Sequence, residues 1–436
     1  MKFAHLKYNH ENGLKRNILI IDSKKISVAA KAHKWFTNIP ISQAEKVELA
    51  ESDESCELLL SDQKLYHPDQ DTFDKRYNIQ KHTLNNTTIY YSLSGNVETP
   101  KKILVTFPGV SNFDNVNYRL SALTSLQERL KDTLILALQD KEGVYGNYLY
   151  RDSNGSMFKP VVISLISGLM SIFGLAEHDI IFYGNSKGGT IAIDYIESYP
   201  GSFFFIDIPQ LDLYNYLSQN ALMRYSLGEE ARKYYNFIKY LPSVNNKRVT
   251  YSFAEDDIDA SRNLPMSMFS KINVVMLKDM PHSGSAMQLV KRQFSKIIQL
   301  ISDTSPIERP QINALWEVKD NYIFFNRTLG SFTDESSINK VYAEIEFFNS
   351  SENYFISLNN TFDEKMKVGW TKGFNAVKHL SNGSFNMKLH VYSNYREYIY
   401  PLEGEIFICN DKIYESYHAF MNSWDSTGII DQELTS

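Results

Sequence analysis

Ile180-Ile-Phe-Tyr-Gly184-Asn-Ser186-Lys-Gly188-Gly-Thr190 is the stretch whose reading decides the fold. Its four leading apolar residues make a short buried strand. A G-x-S-x-G turn follows, and Thr190 to Ile196 then carries apolar residues at helical spacing. Strand, sharp turn and helix are the setting of a nucleophile elbow, in which the serine hydroxyl stands clear at the carboxyl end of a sheet. Gly184 and Gly188 are expected because a side chain at either place would collide with the neighbouring strand or helix. The helix that follows aims its N-terminal partial positive charge at the place where an oxyanion would form. The structural alternative is a glycine-rich turn whose serine merely caps a helix.

Outward from this stretch, strands and helices alternate. Thr88–Leu93 and Lys102–Phe107 read as strands split by a turn with Gly95-Asn96, Leu120–Leu130 as a helix and Thr133–Leu138 as a buried strand. Met157–Leu175 is predicted to be the helix leading into the elbow strand. Beyond the elbow come strands at Phe203–Ile208, Arg248–Phe253 and Asn273–Lys278. The helix after them, Ala286–Ile301, has its apolar stripe at Val290, Phe294, Ile297, Ile298 and Ile301. Repeated βα units of this kind imply a mostly parallel, doubly wound sheet in an α/β domain covering 87–304. Within it, 212–246 is longer than a simple crossover and rich in tyrosine (Tyr214, Tyr216, Tyr225, Tyr234, Tyr235, Tyr240). It reads equally as a cap or as a long helical connection.

A nucleophilic serine needs a base, and in this architecture the chain order is serine, acid, histidine. Between Ser186 and Ile301 there is one histidine, His282, in Lys278-Asp-Met-Pro-His-Ser-Gly284, just past the last parallel strand. The acid should follow the preceding strand, and Phe253-Ala-Glu-Asp-Asp257-Ile-Asp259 does so. Asp257 is the first choice, with Asp256 close behind and Asp259 third; each could equally cap a helix or line a solvated turn. The acid would hold the histidine tautomer and stabilise the imidazolium. An oxyanion hole needs two backbone N–H donors. Lys187, next to the nucleophile, is one; Val110, in the loop Phe107-Pro-Gly109-Val110, is the other, with Gly109 letting backbone approach the substrate.

G-N-S-K-G, the F-P-G loop, the acidic turn and M-P-H-S-G, in this order, resemble the α/β-hydrolase superfamily over residues 87 to 301. In the oxyanion loop Pro108 stands where that family often has histidine. The elbow G-N-S-K-G-G with its flanking regions is similar to a bacterial subset. That subset includes capsular-polysaccharide biosynthesis proteins and the glycan O-acetyltransferase component of the accessory Sec system. The resemblance implies an acyl-enzyme mechanism on O-acetyl groups of a surface glycan. Acetyl-CoA or a similar acyl donor enters only if the protein is a transferase, and nothing in the chain marks a coenzyme A site. The competing expectations are a non-catalytic subunit of the same fold that binds protein partners, through the C-terminal β domain for example, and a peptidase.

The flanks carry no such chemistry. Residues 1–86 form a small N-terminal α/β region, with strands at Asn17–Asp22 and Glu57–Ser61, a helix at Val28–Phe36 and a solvated acidic run at 45–57. After 304, short alternating segments separated by Asn, Asp, Gly and Ser clusters predict an antiparallel, sandwich-like β domain. Its Tyr392, Tyr395, Tyr398 and Tyr400 could stack on sugar rings, although such residues more often lie in a core. A net charge of −6 gives no reason to expect a nucleic-acid partner. Two cysteines, Cys56 and Cys409, form no disulfide framework or metal pair and fit a reducing compartment. The polar N-terminus lacks a signal-peptide core. The most apolar run, 161–176, falls short of the ~20 residues a membrane span needs. A cytoplasmic protein without metal or membrane span is therefore expected.

Overall fold

The computed structural model describes residues 3–8, 15–30, 39–41, 46–51, 56–63, 65, 70–110, 129–142, 146–216, 221–258, 264–269, 271–302, 313–328, 342–358, 361–363, 368–370, 373–393 and 395–416. The chain divides into two compact units, Met1–Ile238 and Lys239–Ser436. The architecture is α/β, with parallel strands bearing the candidate site residues and separate small antiparallel sheets.

In the first unit the parallel strands run in the order Phe203–Asp207, Ile180–Asn185, Lys102–Phe107, Thr133–Gln139. Thr87–Gly95 and Ile79–Leu84 extend this set antiparallel. Thr133–Gln139 is buried at every position, as a strand covered on both faces must be. The predicted helix before the elbow is Lys159–Phe173. Pro160 stands in its first turn, and Gly174, at φ 65°, ends it with an N–H donated to the Met170 carbonyl. Val161, Val162, Leu165, Ile166 and Leu169 form its buried face. No helix among the described residues is long and apolar enough to cross a membrane. The expected helix Leu120–Leu130 lies mostly outside the described residues.

The N-terminal residues of this unit form two three-stranded antiparallel sheets around Ala4, Leu6, Leu19, Ile21, Ile26 and Ile39. Here one expectation needs correcting: Val28–Ala30, read as the start of a helix, belongs to the strand Lys24–Ala30. Asp22, at φ 52°, turns the chain tightly, so Lys24–Ala30 pairs back on Lys15–Ile21. Cross-strand pairing therefore overrides the helical propensity of the alanines. The tyrosine-rich segment holds the helix Ala221–Tyr234, kinked at Gly228 (φ 71°). This helix packs on the strand Lys24–Ala30, and Tyr225 adds to the N-terminal core. Its tyrosines are occupied structurally: the Tyr235 hydroxyl donates to the Tyr148 carbonyl at 2.7 Å and Tyr234 to Asp194 at 2.8 Å.

In the second unit Val249–Ala254 and Asn273–Leu277 pair in parallel, and Asn353–Ser357 joins the latter, again in parallel. Tyr342–Phe348, Gly383–Ser393, Arg396–Cys409 and Lys412–Tyr414 then continue antiparallel. The antiparallel strands expected after residue 304 are thus present, but five strands prolong the parallel set instead of closing on one another. Asn353–Ser357 is buried along nearly its whole length, the mark of a central strand. A separate four-stranded antiparallel sheet is built from Asn313–Lys319, Tyr322–Thr328, Val368–Trp370 and Thr361–Asp363.

The helix His282–Ser302 lies on these strands and buries a polar face as well as the predicted apolar one. Arg292 Nε donates to both oxygens of Glu344 at 2.8 Å. Lys296 Nζ reaches Glu397 at 2.6 Å, and Glu397 also accepts from His390 Nδ1 at 2.6 Å. His390 Nε2 is 2.7 Å from Glu346, and the Tyr392 hydroxyl donates to Glu344 and Glu397 at 2.9 Å. Tyr392 is fully buried, so it is a core residue and not a sugar platform.

Burial by itself would lower the pKa of His390, but hydrogen bonds to Glu346 and Glu397 outweigh it and the pKa is raised. Burial would raise Glu397, yet His390 and Lys296 hold its pKa well below the ordinary carboxylate range. The signs follow by linkage. The His390 contribution is complete below the unfolded-state value and is lost as pH rises through the raised one. The Glu397 contribution is present at neutral pH and is lost as pH falls through the lowered one. Melting temperature is therefore expected to fall as pH rises above the ordinary histidine value of about 6.5, and His390→Gln should flatten that slope. A His390→Gln profile as steep as wild type would show that another group carries it.

Candidate active site

The elbow strand Ile180–Asn185 ends at Ser186, whose backbone sits at φ 53°, ψ −117°. A non-glycine residue held there is strained, at a cost of about 1–3 kcal/mol. The strain persists because the surroundings over-determine it. The Ser186 N–H donates to the Asp207 carbonyl at 2.8 Å. A β-carbon on Gly184 would sit 2.1 Å from the Gly188 carbonyl oxygen, and one on Gly188 would sit 2.5 Å from that of Phe107. Both glycines are thus fixed by backbone approaching backbone. The second contact also brings the end of the Lys102–Phe107 strand, just before Pro108, Gly109 and Val110, against the start of the elbow helix Lys187–Ile193. Every residue of that helix is buried.

Two features of this region were not foreseen from the sequence. Gln210, 1% exposed, lies just past the strand Phe203–Asp207 and donates its side-chain N–H to Ser186 Oγ at 2.9 Å. Thr190, on the elbow helix, holds Gln210 from both sides. Its hydroxyl lies 3.1 Å from Gln210 Oε1 and accepts the Gln210 backbone N–H at 2.9 Å. The second feature is the Lys187 side chain, wholly buried and paired with an equally buried Asp140 at 2.9 Å. The other Asp140 oxygen accepts the N–H of Asn147 at 3.0 Å. Gly146, at φ 78°, leaves room for the pair: a β-carbon there would lie 2.2 Å from Asp140 and 2.3 Å from Lys187 Nζ. A signal for both was present, since Asp140 and Gln210 each follow the carboxyl end of a parallel strand, where open α/β sheets place their site residues.

In the second unit the chain brings His282 and Asp257 together. Asp257 Oδ2 is 2.6 Å from His282 Nδ1; the carboxylate is 5% exposed and the imidazole 27%. The Asp257 N–H donates to the Ala254 carbonyl at 3.2 Å, a tight turn that directs its carboxylate inward. Asp256 is exposed, and its N–H donates to Met280 O at 3.0 Å. Asp259 lies outside the described residues. His282 stands just ahead of the regular helix: Ser283 and Gly284 (φ 93°) are non-helical, and Ser285 Oγ donates to the His282 carbonyl at 2.6 Å. The carboxylate thus faces the Nδ1 side of the ring.

The first unit thus holds a strained serine with a donor on its hydroxyl, and the second holds an imidazole–carboxylate pair. No family model matches the sequence, and no curated protein does. Solved structures are similar to it at low identity. The capsule O-acetyltransferase of Neisseria meningitidis serogroup A aligns at 18% identity and TM-score 0.36, over 51% of this chain and 94% of its own. A ferulic acid esterase aligns at 12% identity and TM-score 0.39, over 51% and 95%. The fluorophosphonate-binding serine hydrolase F of Staphylococcus aureus aligns at 13% identity and TM-score 0.36, over 50% and 97%.

Proposed function

We propose that this protein is a serine-dependent acyl hydrolase or O-acyltransferase acting on ester groups, in particular O-acetyl groups of a bacterial surface glycan. The observation that carries the chemistry is the Ser186 backbone at φ 53°, ψ −117°, closed in by Gly184 and Gly188. A serine that only caps a helix has no use for that strain, and here it makes no side-chain cap bond. The glycan rests on the likeness of the elbow and layout to the capsule and accessory Sec subset.

Ser186 Oγ attacks the ester carbonyl while its proton passes to Nε2 of His282, whose Nδ1 side is held by Asp257. The N–H groups of Lys187 and Val110 take up the oxyanion. Collapse expels the alcohol, which leaves with the proton from His282, and Ser186 is acylated. Water or a sugar hydroxyl then attacks, gives its proton to His282 and releases the acyl group, and the proton returns to Oγ. Exclusion of water decides between hydrolysis and transfer.

A fluorophosphonate probe is expected to label the wild-type chain stoichiometrically and Ser186→Ala not at all. Acetate release from p-nitrophenyl acetate, and transfer to candidate glycans, then separates esterase from transferase. An unlabelled wild type would instead favour a non-catalytic, partner-binding subunit.

A further inference from the structure

We infer that Gln210 is a catalytic residue whose side-chain N–H assists the departure of Ser186 Oγ from the acyl-enzyme. The inference rests on the acyl-enzyme reading above and goes beyond it by assigning a donor to the leaving oxygen. A serine hydroxyl has one proton and two lone pairs. The Thr190 hydroxyl lies 3.1 Å from both the backbone and the side-chain carbonyl of Gln210, and the amide turns its N–H to Ser186 at 2.9 Å. One lone pair of Oγ is thereby filled.

The effect on the two half-reactions is unequal. In free enzyme the N–H already bonds to a good acceptor, the hydroxyl oxygen, at 2.9 Å. It is therefore only modestly stronger in the acylation transition state, and only that difference counts toward rate. In the acyl-enzyme the same oxygen is the bridging atom of an ester, a poor acceptor. As the deacylation intermediate collapses, the Oγ–C bond breaks and its electron pair returns to Oγ. The N–H then meets an oxygen gaining negative charge in a part-buried site, where such a donor is worth more than in open water. Burial of Gln210 and its two-point attachment to Thr190 mean the amide needs no reorganisation at that moment.

The test separates the half-reactions. Wild type, Gln210→Met and Thr190→Val are mixed with p-nitrophenyl acetate; the burst, the steady-state rate and the mass of the chain are followed. Gln210→Met is expected to keep its burst rate within about threefold, while steady-state turnover falls about ten- to a hundredfold, less than for loss of an oxyanion donor. The share of the chain that carries an acetyl adduct on Ser186 in the steady state should rise above that of wild type, and the adduct should decay more slowly once the ester is exhausted. Thr190→Val, which frees the amide to turn, should shift the balance the same way by a smaller factor. Equal loss of burst and turnover, or unchanged turnover in Gln210→Met, overturns the assignment of Gln210 while a labelled wild type leaves the serine mechanism standing. A wild type that neither bursts nor takes up fluorophosphonate overturns both. If Gln210→Met fails to fold, the Thr190→Val burst-to-turnover ratio decides alone, and a ratio equal to wild type counts against the inference.

Discussion

His282→Ala is expected to lower ester turnover by about 10⁴- to 10⁶-fold, as removal of a triad member does elsewhere, with the chain still folded. The imidazole is the proposed acceptor of the serine proton, and its Nδ1 lies 2.6 Å from Asp257 Oδ2. Losing it removes the base in one half-reaction and the acid in the other. Asp257→Asn should cost about 10⁴-fold, because an amide facing Nδ1 favours the wrong tautomer. Asp256→Asn, on an exposed side chain, should stay within about threefold of wild type. In wild type, kcat/KM should rise with pH as the imidazole loses its proton, between about pH 5 and 8 where histidine ordinarily titrates. Turnover surviving in His282→Ala with an unchanged pH profile would place the base elsewhere.

Asp140→Leu is expected to destabilise the first unit by about 3–5 kcal/mol, whereas Asp140→Leu combined with Lys187→Met should recover most of that loss. Both side chains are 0% exposed, so neither charge has water to fall back on when its partner goes. Replacing both by apolar groups of similar volume removes the desolvation cost as well as the attraction. Heat or urea unfolding of the two singles and the double closes the cycle. A double variant no more stable than Asp140→Leu would mean that the pair does more than cancel itself. Its position suggests what that would be. Lys187 opens the helix after Ser186, and Asp140 also holds the N–H of Asn147, so the pair ties that helix to the loop leading to Tyr148 and Tyr150. Loss of activity in a stable double variant would reveal that positioning.

The elbow was legible because it depends on local geometry: glycine is required at two places, and the strand and helix around it have distinct periods. The joining of His282 to Asp257 was anticipated from chain order and strand ends. Gln210 and Asp140 were not singled out, since a lone polar residue after a strand says nothing of what it will meet across the sheet. The helix His282–Ser302 misled in one respect. Its apolar stripe was correctly spaced, but Arg292 and Gln293 are also buried, compensated by Glu344 from a distant strand in the case of Arg292. Long-range charge pairing of this kind leaves no mark in a hydrophobic pattern. The strand at Val28–Ala30 was missed for a related reason: the partner that holds it lies across a tight turn, and three residues of alanine and valine carry little preference alone.

The parallel register of Val274–Met276 against Tyr354–Ile356, closed by the Lys278 N–H on Ser357 Oγ at 2.8 Å, bears on modularity. The last third of the polypeptide is not an appendage that a shorter ancestor or an engineer could drop near residue 304. Cutting there would leave Asn273–Leu277, an almost wholly apolar strand that ends five residues ahead of His282, with its hydrogen-bonding side bare to solvent and to other molecules. The four-stranded sheet around Tyr322–Thr328 is a separate ladder, yet it too is tied in: the Trp316 indole N–H donates to the Glu403 carbonyl at 2.8 Å, and Phe325 meets Phe347 edge to face.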